Sequence, residues 1–419
     1  MKKKQKITER INAISDMAAG KSSLQQVLDQ LAQSAATLSN VTASSIRLLS
    51  DDGKSLEMKS TYGLSEDYRN KGPVTLDDPV IGEVFKGKEI IVDDMRVDSR
   101  VVYKEAAAAE NIVSQLSVPL RFQEKVIGVL RLYSTNPKNF GDENVAMARL
   151  IASQCAISIT NAKLYAAALR GIKINEQMKL AGVVQRRMLP QKTPNMQGFG
   201  IAAAYKPCYN VGGDLYDFIQ INDDIFAVVI ADVMGKGLPA AIMMSMFRGW
   251  LKAYTAMLTD CNEHDIQRLI VRLNRMICRE CEVGEFVTLC FAVVNRKEMS
   301  VSYCSCGHDP TYMIRDKKIT ELNKGGLILG VEPDAQYEVE TVALEPGDVL
   351  LFYTDGLVDA ENFEGKLWGR KPFLDILSKY DNWSAEVTVG TILAYRRRFT
   401  GIAPQADDTT IVCVRVKAE

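Results

Sequence analysis

Apolar residues recur along this chain in two textures, and the change of texture marks its parts. Leu24, Val27, Leu28, Leu31 and Leu38 fall at helical spacing and predict an amphipathic helix over 24–38. Short runs rich in β-branched residues follow: Ser44 to Leu49, Ser55 to Tyr62, Glu89 to Val92, Ser114 to Arg121 and Val126 to Tyr133. Asp51-Asp52-Gly53 reads as a turn between the first two, and Gln123-Glu124-Lys125 as the hairpin between the last two. From Glu143 to Leu189 the pattern is helical again, with no proline before Pro190. Its stripe of Leu150, Ile157, Leu164, Ile172, Leu180, Val184 and Met188 is too long for one small domain to bury. Two helices joined near Gly171 would satisfy it; so would one continuous connector paired with a second subunit as an imperfect coiled coil, which is the expectation adopted.

Beyond Pro190 strands dominate: Ile201 to Tyr205, Ile225 to Ala231, Phe286 to Asn295, Ser300 to Ser305, Tyr312 to Arg315, Val349 to Tyr353 and Thr410 to Val416. Two helical patches interrupt them, Pro239 to Leu258 and Asp265 to Glu280. Helices inserted in blocks among strands predict an α+β sandwich.

Composition narrows the classes without choosing one. A chain of 419 residues with net charge −1 has room for two or three cores and no global field to draw it to nucleic acid or membrane. No apolar run approaches a membrane span of about 20 residues. The basic start Met1-Lys2-Lys3-Lys4, with Ile7, Ile11, Ile14 and Met17 at helical spacing, reads as an amphipathic helix rather than a signal peptide, so a cytoplasmic protein is expected. Nine cysteines do not suggest a disulfide framework. Cys278, Cys281, Cys304, Cys306 and His308 have the chemistry for zinc, but Cys304 and Cys306 alternate within a strand and read as buried thiols.

The candidate chemistry lies in aspartates at the ends of the second-half strands. Asp232 closes the run from Ile225, Asp355 closes the run from Val349, and Asp407 precedes the run from Thr409. Asp214 follows the Gly212-Gly213 pair. In an antiparallel sheet the end of one strand and the start of the next share an edge. Carboxylates gathered there repel unless a cation neutralises them, and hard divalent ions take such oxygen ligands. Two ions could share and acidify a water that attacks phosphorus in line.

Gly212-Gly213-Asp214, Asp232-Val233-Met234-Gly235-Lys236-Gly237, Tyr353-Thr354-Asp355-Gly356 and Asp407-Asp408-Thr409-Thr410 occur in the order found in PPM-type serine/threonine phosphatases. The second half most resembles their bacterial sporulation and stress-response branch (SpoIIE-like). Gly307-His308-Asp309-Pro310, Pro346-Gly347-Asp348 and Gln185-Arg186-Arg187-Met188-Leu189-Pro190 add to the likeness. The resemblance implies a sandwich of two antiparallel sheets flanked by helices and two divalent ions, Mn²⁺ or Mg²⁺. It makes Asp214 and Asp232 their shared ligands, with the Val233 carbonyl, and Asp355 and Asp407 the completing ones. Asp408 becomes a supporting residue, and Lys236 a candidate to meet phosphate. The implied reaction removes phosphate from Ser or Thr of a partner protein, an anti-sigma-factor antagonist of STAS type. The first half, with Ile46-Arg47-Leu48-Leu49, Ser117-Val118-Pro119-Leu120 and Val126-Ile127-Gly128-Val129-Leu130, resembles a GAF domain, which implies a dimerising relay or a small-molecule sensor of unknown ligand. The expected layout is 1–162 GAF, 163–190 helical linker and 191–419 phosphatase, forming a homodimer through GAF and linker.

One position departs from the wider family: Met234 stands where some relatives carry a histidine that acts as general acid. A serine alkoxide leaves poorly without a proton, so a water at the metals is the expected donor and His308 the side-chain alternative. Two rival functions remain. A diguanylate cyclase would need Glu after Gly-Gly-Asp, where Leu215 stands; a non-catalytic GAF relay with a phosphatase-like binding module would not need four intact aspartates.

Overall fold

The computed structural model describes residues 24–50, 52–258, 261–282, 284–379 and 382–417, so the expected N-terminal helix through Ile7 and Met17 lies outside the described residues. The chain divides into two compact units, Met1–Lys173 and Ile174–Glu419.

The first unit is built on a five-stranded antiparallel sheet. Helix α1 (Leu24–Leu38) leads into β1 (Ala43–Leu49) and β2 (Leu56–Tyr62). Three short helices follow, α2 (Glu66–Arg69), α3 (Pro79–Phe85) and α4 (Lys104–Ala109), with β3 (Ile90–Val92) between the last two. The hairpin β4 (Ser114–Phe122) and β5 (Lys125–Ser134) completes the sheet in the order β2-β1-β5-β4-β3. Its turn residue Gln123 takes φ +53°, as a tight hairpin requires. One face carries Ile46, Leu48, Leu116, Val118, Leu130 and Leu132 against Leu28 and Leu31 of α1 and Ile151, Cys155 and Ile159 of the next helix. The opposite face is covered by α2 to α4 and their loops, with Tyr68, Val80, Ile81, Val84 and Met95 inward.

That next helix, α5, runs unbroken from Asp142 to Met188. Gly171 does not divide it; nothing lies within reach of a Cβ there, and one glycine costs a helix only about 1 kcal/mol. Leu150, Ile157, Leu164, Ile172, Leu180 and Val184 are exposed along it. Among the described residues, no helix is long and apolar enough to cross a membrane.

The second unit is a four-layer α-β-β-α sandwich. Strand β6 (Phe199–Lys206) comes first, then β7 (Leu215–Gln220), β8 (Ile225–Val233), α6 (Leu238–Thr255), α7 (Glu263–Glu280), β9 (Val287–Asn295) and β10 (Ser300–Cys306). There follow β11 (Thr311–Arg315), β12 (Lys318–Leu322), β13 (Gly325–Gly326), β14 (Glu340–Ala343), β15 (Val349–Tyr353), α8 (Arg370–Leu377), α9 (Ala385–Thr400) and β16 (Thr409–Val416). One sheet runs β13-β10-β9-β8-β7 and the other β12-β11-β15-β16-β6. Phe226, Val228, Ile230, Ala292 and Val294 of the first meet Ile201, Leu350, Phe352, Val412 and Val414 of the second. Outside the first sheet lie α6 and α7; α7 buries Ile266, Leu269, Ile270, Leu273 and Ile277 at three- and four-residue steps, and Asn262 caps it by accepting from Asp265 N. Cys304 and Cys306 sit in this apolar layer, facing the same side.

The sequence pattern missed β7, β12, β13 and β14, the short helices of the first unit, and both helices outside the second sheet. Helix α9 is the instructive case. Val387, Thr388, Val389, Thr391 and Ile392 are β-branched and read as strand by propensity. Tertiary burial of Ala385, Val389 and Ile392 against the sheet, with Ser384 capping Val387 N, makes the segment helical.

Candidate metal centre

The aspartates come to one edge because of strand direction. Strand β8 ends, and β7 begins, where Leu215 pairs with Ala231; β15 ends, and β16 begins, where Tyr353 pairs with Ile411. Asp214, Asp232, Asp355 and Asp407 therefore stand at corresponding ends of two packed sheets.

Asp214 is the most tightly held. It is 1 % exposed, and its Oδ2 accepts from Thr354 Oγ1 (2.7 Å) and Thr410 Oγ1 (2.5 Å), both on the other sheet's edge. Thr354 is held in turn by Thr410 N, which donates to its Oγ1 at 3.0 Å. These two threonines lie within the motifs read from sequence, but their role was not legible. Burial, then the neighbouring Asp232 charge, pushes the Asp214 carboxyl well above its ordinary range. Asp232 is raised to about 7 by burial and by the charges of Asp355 and Asp407. Asp355, at the start of a 3₁₀ turn (Asp355–Leu357), is raised to about 6 by burial and Asp407. The four carboxylates thus sense one another, as the edge argument requires.

Two glycines fit the backbone around them. A Cβ on Gly213 would stand 2.8 Å from the Val233 carbonyl oxygen, and one on Gly356 would stand 1.8 Å from the Asp408 carbonyl oxygen. Val233 O thereby faces the Asp214 loop. Asp408 is buried and turned to that loop: its Oδ1 accepts from Cys208 N (2.7 Å) and its Oδ2 from Gly213 N (2.6 Å). It positions Asp214 rather than facing the open edge.

Lys236 is drawn to the carboxylates. Its Nζ pairs with Asp407 Oδ2 at 2.7 Å and donates to Ala406 O at 2.7 Å. His308 lies against β9, its Nδ1 2.8 Å from Thr288 Oγ1 and its Nε2 buried without a partner. Burial pushes this imidazole down to about 4, so it is uncharged at neutral pH. Asp309 beside it is ion-paired with Arg370.

A further contact had no sequence signal beyond its motif. Near the end of α5, Gln185 forms a two-way amide pair with Gly212: Nε2 donates to Gly212 O (2.7 Å), and Oε1 accepts from Gly212 N (3.0 Å). Asn175 Oδ1 accepts from Asn210 Nδ2 at 2.9 Å, and a Cβ on Gly182 would meet Asn210 O at 2.0 Å. The helix end is thus keyed to the loop that carries Asp214.

Among the described residues, no three acidic, histidine or cysteine side chains form a closed ligand cage. The donor set nevertheless fits hard divalent ions: carboxylates and a carbonyl, all oxygen, with Lys236 ion-paired to Asp407. A cleft of about 570 Å³ lined by Tyr205, Arg396, Gln405 and Thr409 flanks Asp407 and includes none of the four carboxylates.

Comparison with known proteins agrees with this geometry. Residues 222–417 match the family model for stage II sporulation protein E (SpoIIE), and residues 21–160 match a GAF domain model. Asp232, Asp355 and Asp407 fall inside the first match and Asp214 just before it. Protein IcfG of Synechocystis is 30% identical over 257 residues, 55% of this chain and 40% of its own length. Phosphoserine phosphatase RsbU of Bacillus subtilis is 32% identical over 203 residues, 48% of this chain and 59% of its own. The chain spans about half the length of these curated relatives. Among solved structures, the SiaA-PP2C domain of Pseudomonas aeruginosa aligns with a TM-score of 0.53 at 22% identity, covering 59% of this chain and 99% of that one, a likeness of fold.

Proposed function

We propose that this chain, which combines a GAF domain with a SpoIIE/PP2C-type phosphatase domain, is a metal-dependent protein serine/threonine phosphatase. The observation that carries the reading is the meeting of four carboxylates from four chain segments at one sandwich edge, with Asp214 fixed across the sheets by Thr354 and Thr410. Asp214 and Asp232, with the Val233 carbonyl, would hold two ions jointly, and Asp355 and Asp407 would complete one of them. When bound, Mn²⁺ or Mg²⁺ would neutralise these carboxylates and supply a water of lowered pKa for in-line attack on phosphorus. The chain's own part is to hold that arrangement. Asp408 fixes the Gly213 amide, the threonines fix Asp214, and Lys236 holds Asp407, from where it would meet a phosphate oxygen. The leaving alkoxide would take its proton from a water at the site, because the buried His308 is uncharged and engaged with Thr288.

The substrate class is a phosphoserine or phosphothreonine of a partner protein, and an anti-sigma-factor antagonist of STAS type is the proposed one. The name of the RsbU relative, a phosphoserine phosphatase, supports the class. Residues 1–162 are assigned to the GAF unit, 163–190 to a linker and 191–419 to the phosphatase. The exposed stripe of α5 supports a homodimer, and the Gln185–Gly212 amide pair gives the linker a direct grip on the Asp214 loop. Hydrolysis of p-nitrophenyl phosphate and of a phosphoserine protein, with and without Mn²⁺ or Mg²⁺, tests the reading. Metal-dependent turnover of both is expected; a folded wild-type chain inert towards both leaves only a relay.

A further inference from the structure

The cleft of about 570 Å³ beside the metal centre is walled by the end of β6, the last turns of α9 and the 401–406 loop that leads into Asp407. It holds polar atoms that the fold leaves unanswered. Arg396 is 8% exposed, and a guanidinium that deep is ordinarily met by a carboxylate. Among the described residues none pairs with it; burial, with no neighbouring charge to offset it, pulls the group below its ordinary range. Its Nη2 donates to Gly356 O and to Thr409 Oγ1, both at 3.0 Å, while its Nε has no partner. Gln405 Nε2 donates to the carbonyls of Lys206 (2.8 Å) and Asp407 (2.7 Å), and its buried Oε1 accepts nothing.

Two exposed cations, Lys206 and Arg397, line the same cleft, and Glu361 is the one acidic residue among its walls. Among the described residues neither cation forms an ion pair. Leu393, Ala403 and Pro404 give the cleft an apolar side. It is also continuous with the aspartate edge. Ala406, which lines it, accepts from Lys236 Nζ at 2.7 Å, and the same ammonium pairs with Asp407. A phosphorylated residue seated at the aspartates would lead its neighbouring chain along this loop, from a field of carboxylates into one of cations.

We propose that this cleft receives the chain flanking the phosphoserine or phosphothreonine of the protein substrate and selects for acidic side chains there, through Arg396, Arg397 and Lys206. A carboxylate on a guanidinium fork makes charge-assisted bonds, and the backbone N–H groups of an extended segment suit Gln405 Oε1. The inference rests on the phosphatase reading and adds a substrate feature to it: acidic residues beside the phosphate. Arg396 also ties the Asp355 turn to β16 through Gly356 and Thr409, so the two exposed cations are the ones to change.

The test uses the full chain with Mn²⁺ and phosphoserine peptides that carry aspartates before or after the phosphoserine, each against its lysine counterpart. On one side the acidic peptide should be turned over with a kcat/KM about tenfold higher, the worth of one charge-assisted bond. Lys206→Glu combined with Arg397→Glu should erase or invert that preference and leave p-nitrophenyl phosphate turnover unchanged. Equal turnover of acidic and basic peptides by the wild type, or a preference that survives the double substitution, overturns the proposal. A wild type inert towards p-nitrophenyl phosphate sinks the phosphatase reading instead, and the cleft is then tested by fluorescence anisotropy of the labelled acidic peptide. Binding that weakens about tenfold in the doubly substituted chain upholds it. Binding absent from the wild type, or equal in both chains, overturns it.

Discussion

The carboxylate edge of the C-terminal sandwich and the buried arginine pair of the N-terminal sheet both concentrate one sign of charge, but they are built differently. At the edge, four aspartates arrive from four strand ends and stay partly open: Asp214 is buried, whereas Asp232 is half-buried and Asp355 reaches solvent on one side. On the covered face of the N-terminal sheet, Arg47 and Arg131 on neighbouring strands are pinned at mid-strand by register, beneath a layer of short helices. Strand ends can gather groups from distant segments and leave a face open to a large partner. Mid-strand positions can hold only what fits under the cover.

The sharpest way to break the contrast is to remove a carboxylate that the edge depends on. Asp214→Asn keeps an acceptor for Thr354 and Thr410 but removes the charge, and is expected to lower p-nitrophenyl phosphate turnover on the order of a thousandfold. Turnover near wild type would mean that Asp214 is only a buried structural acid. Next in size is Thr410→Val, which leaves every carboxylate in place and removes one of the two donors to Asp214 Oδ2. The concentration of Mn²⁺ giving half activation should rise about ten- to a hundredfold, the usual cost of losing a group that orients a ligand. An unchanged value would show that the clamp plays no part.

The third prediction concerns pH. Asp232 at about 7 and Asp355 at about 6 both lie above an unfolded carboxyl near 4. Between pH 4 and 7 the folded chain therefore keeps protons that the unfolded chain has lost, and stability falls as pH rises. Melting of chelator-treated protein should move down by a few degrees across that window, and added Mn²⁺ should flatten the slope. A melting point that climbs from pH 4 to 7 under chelation would mean the edge is already compensated. The smallest effect is expected from His308→Ala. A true general acid contributes about a hundredfold or more, so a loss under about tenfold with an unaltered pH–rate profile fits solvent as the donor. A hundredfold loss with metal binding intact would make His308 the acid.

Much of the edge could be read in advance because its residues announce themselves locally. Glycine beside aspartate at the end of an apolar run is rare and positional, and Gly213 and Gly356 are glycines because a carbonyl oxygen fills the space a Cβ would take. The supporting contacts were not legible in the same way. Nothing in Thr354 or Thr410 distinguishes a clamp from an ordinary strand threonine, and Gln185 lies 27 residues from the Gly212 it holds. The continuous α5 was foreseen from its stripe, whereas α9 was hidden by β-branched residues whose propensity burial overrode.

By itself the sequence determined the two textures, the long helix between them, and the order of four aspartates along the second half, because periodicity and glycine–aspartate pairs act within a few residues. Only the tertiary structure decided that Asp214 is gripped from the opposite sheet, that Asp408 turns to the Gly213 amide, and that Arg47 and Arg131 lie buried and under-partnered on one face. In the sequence those arginines look like polar positions that alternate outward from a half-exposed strand. Which face of a sheet becomes covered is fixed by what packs on it, and the helices that cover this face are too short to be seen before the fold brings them there.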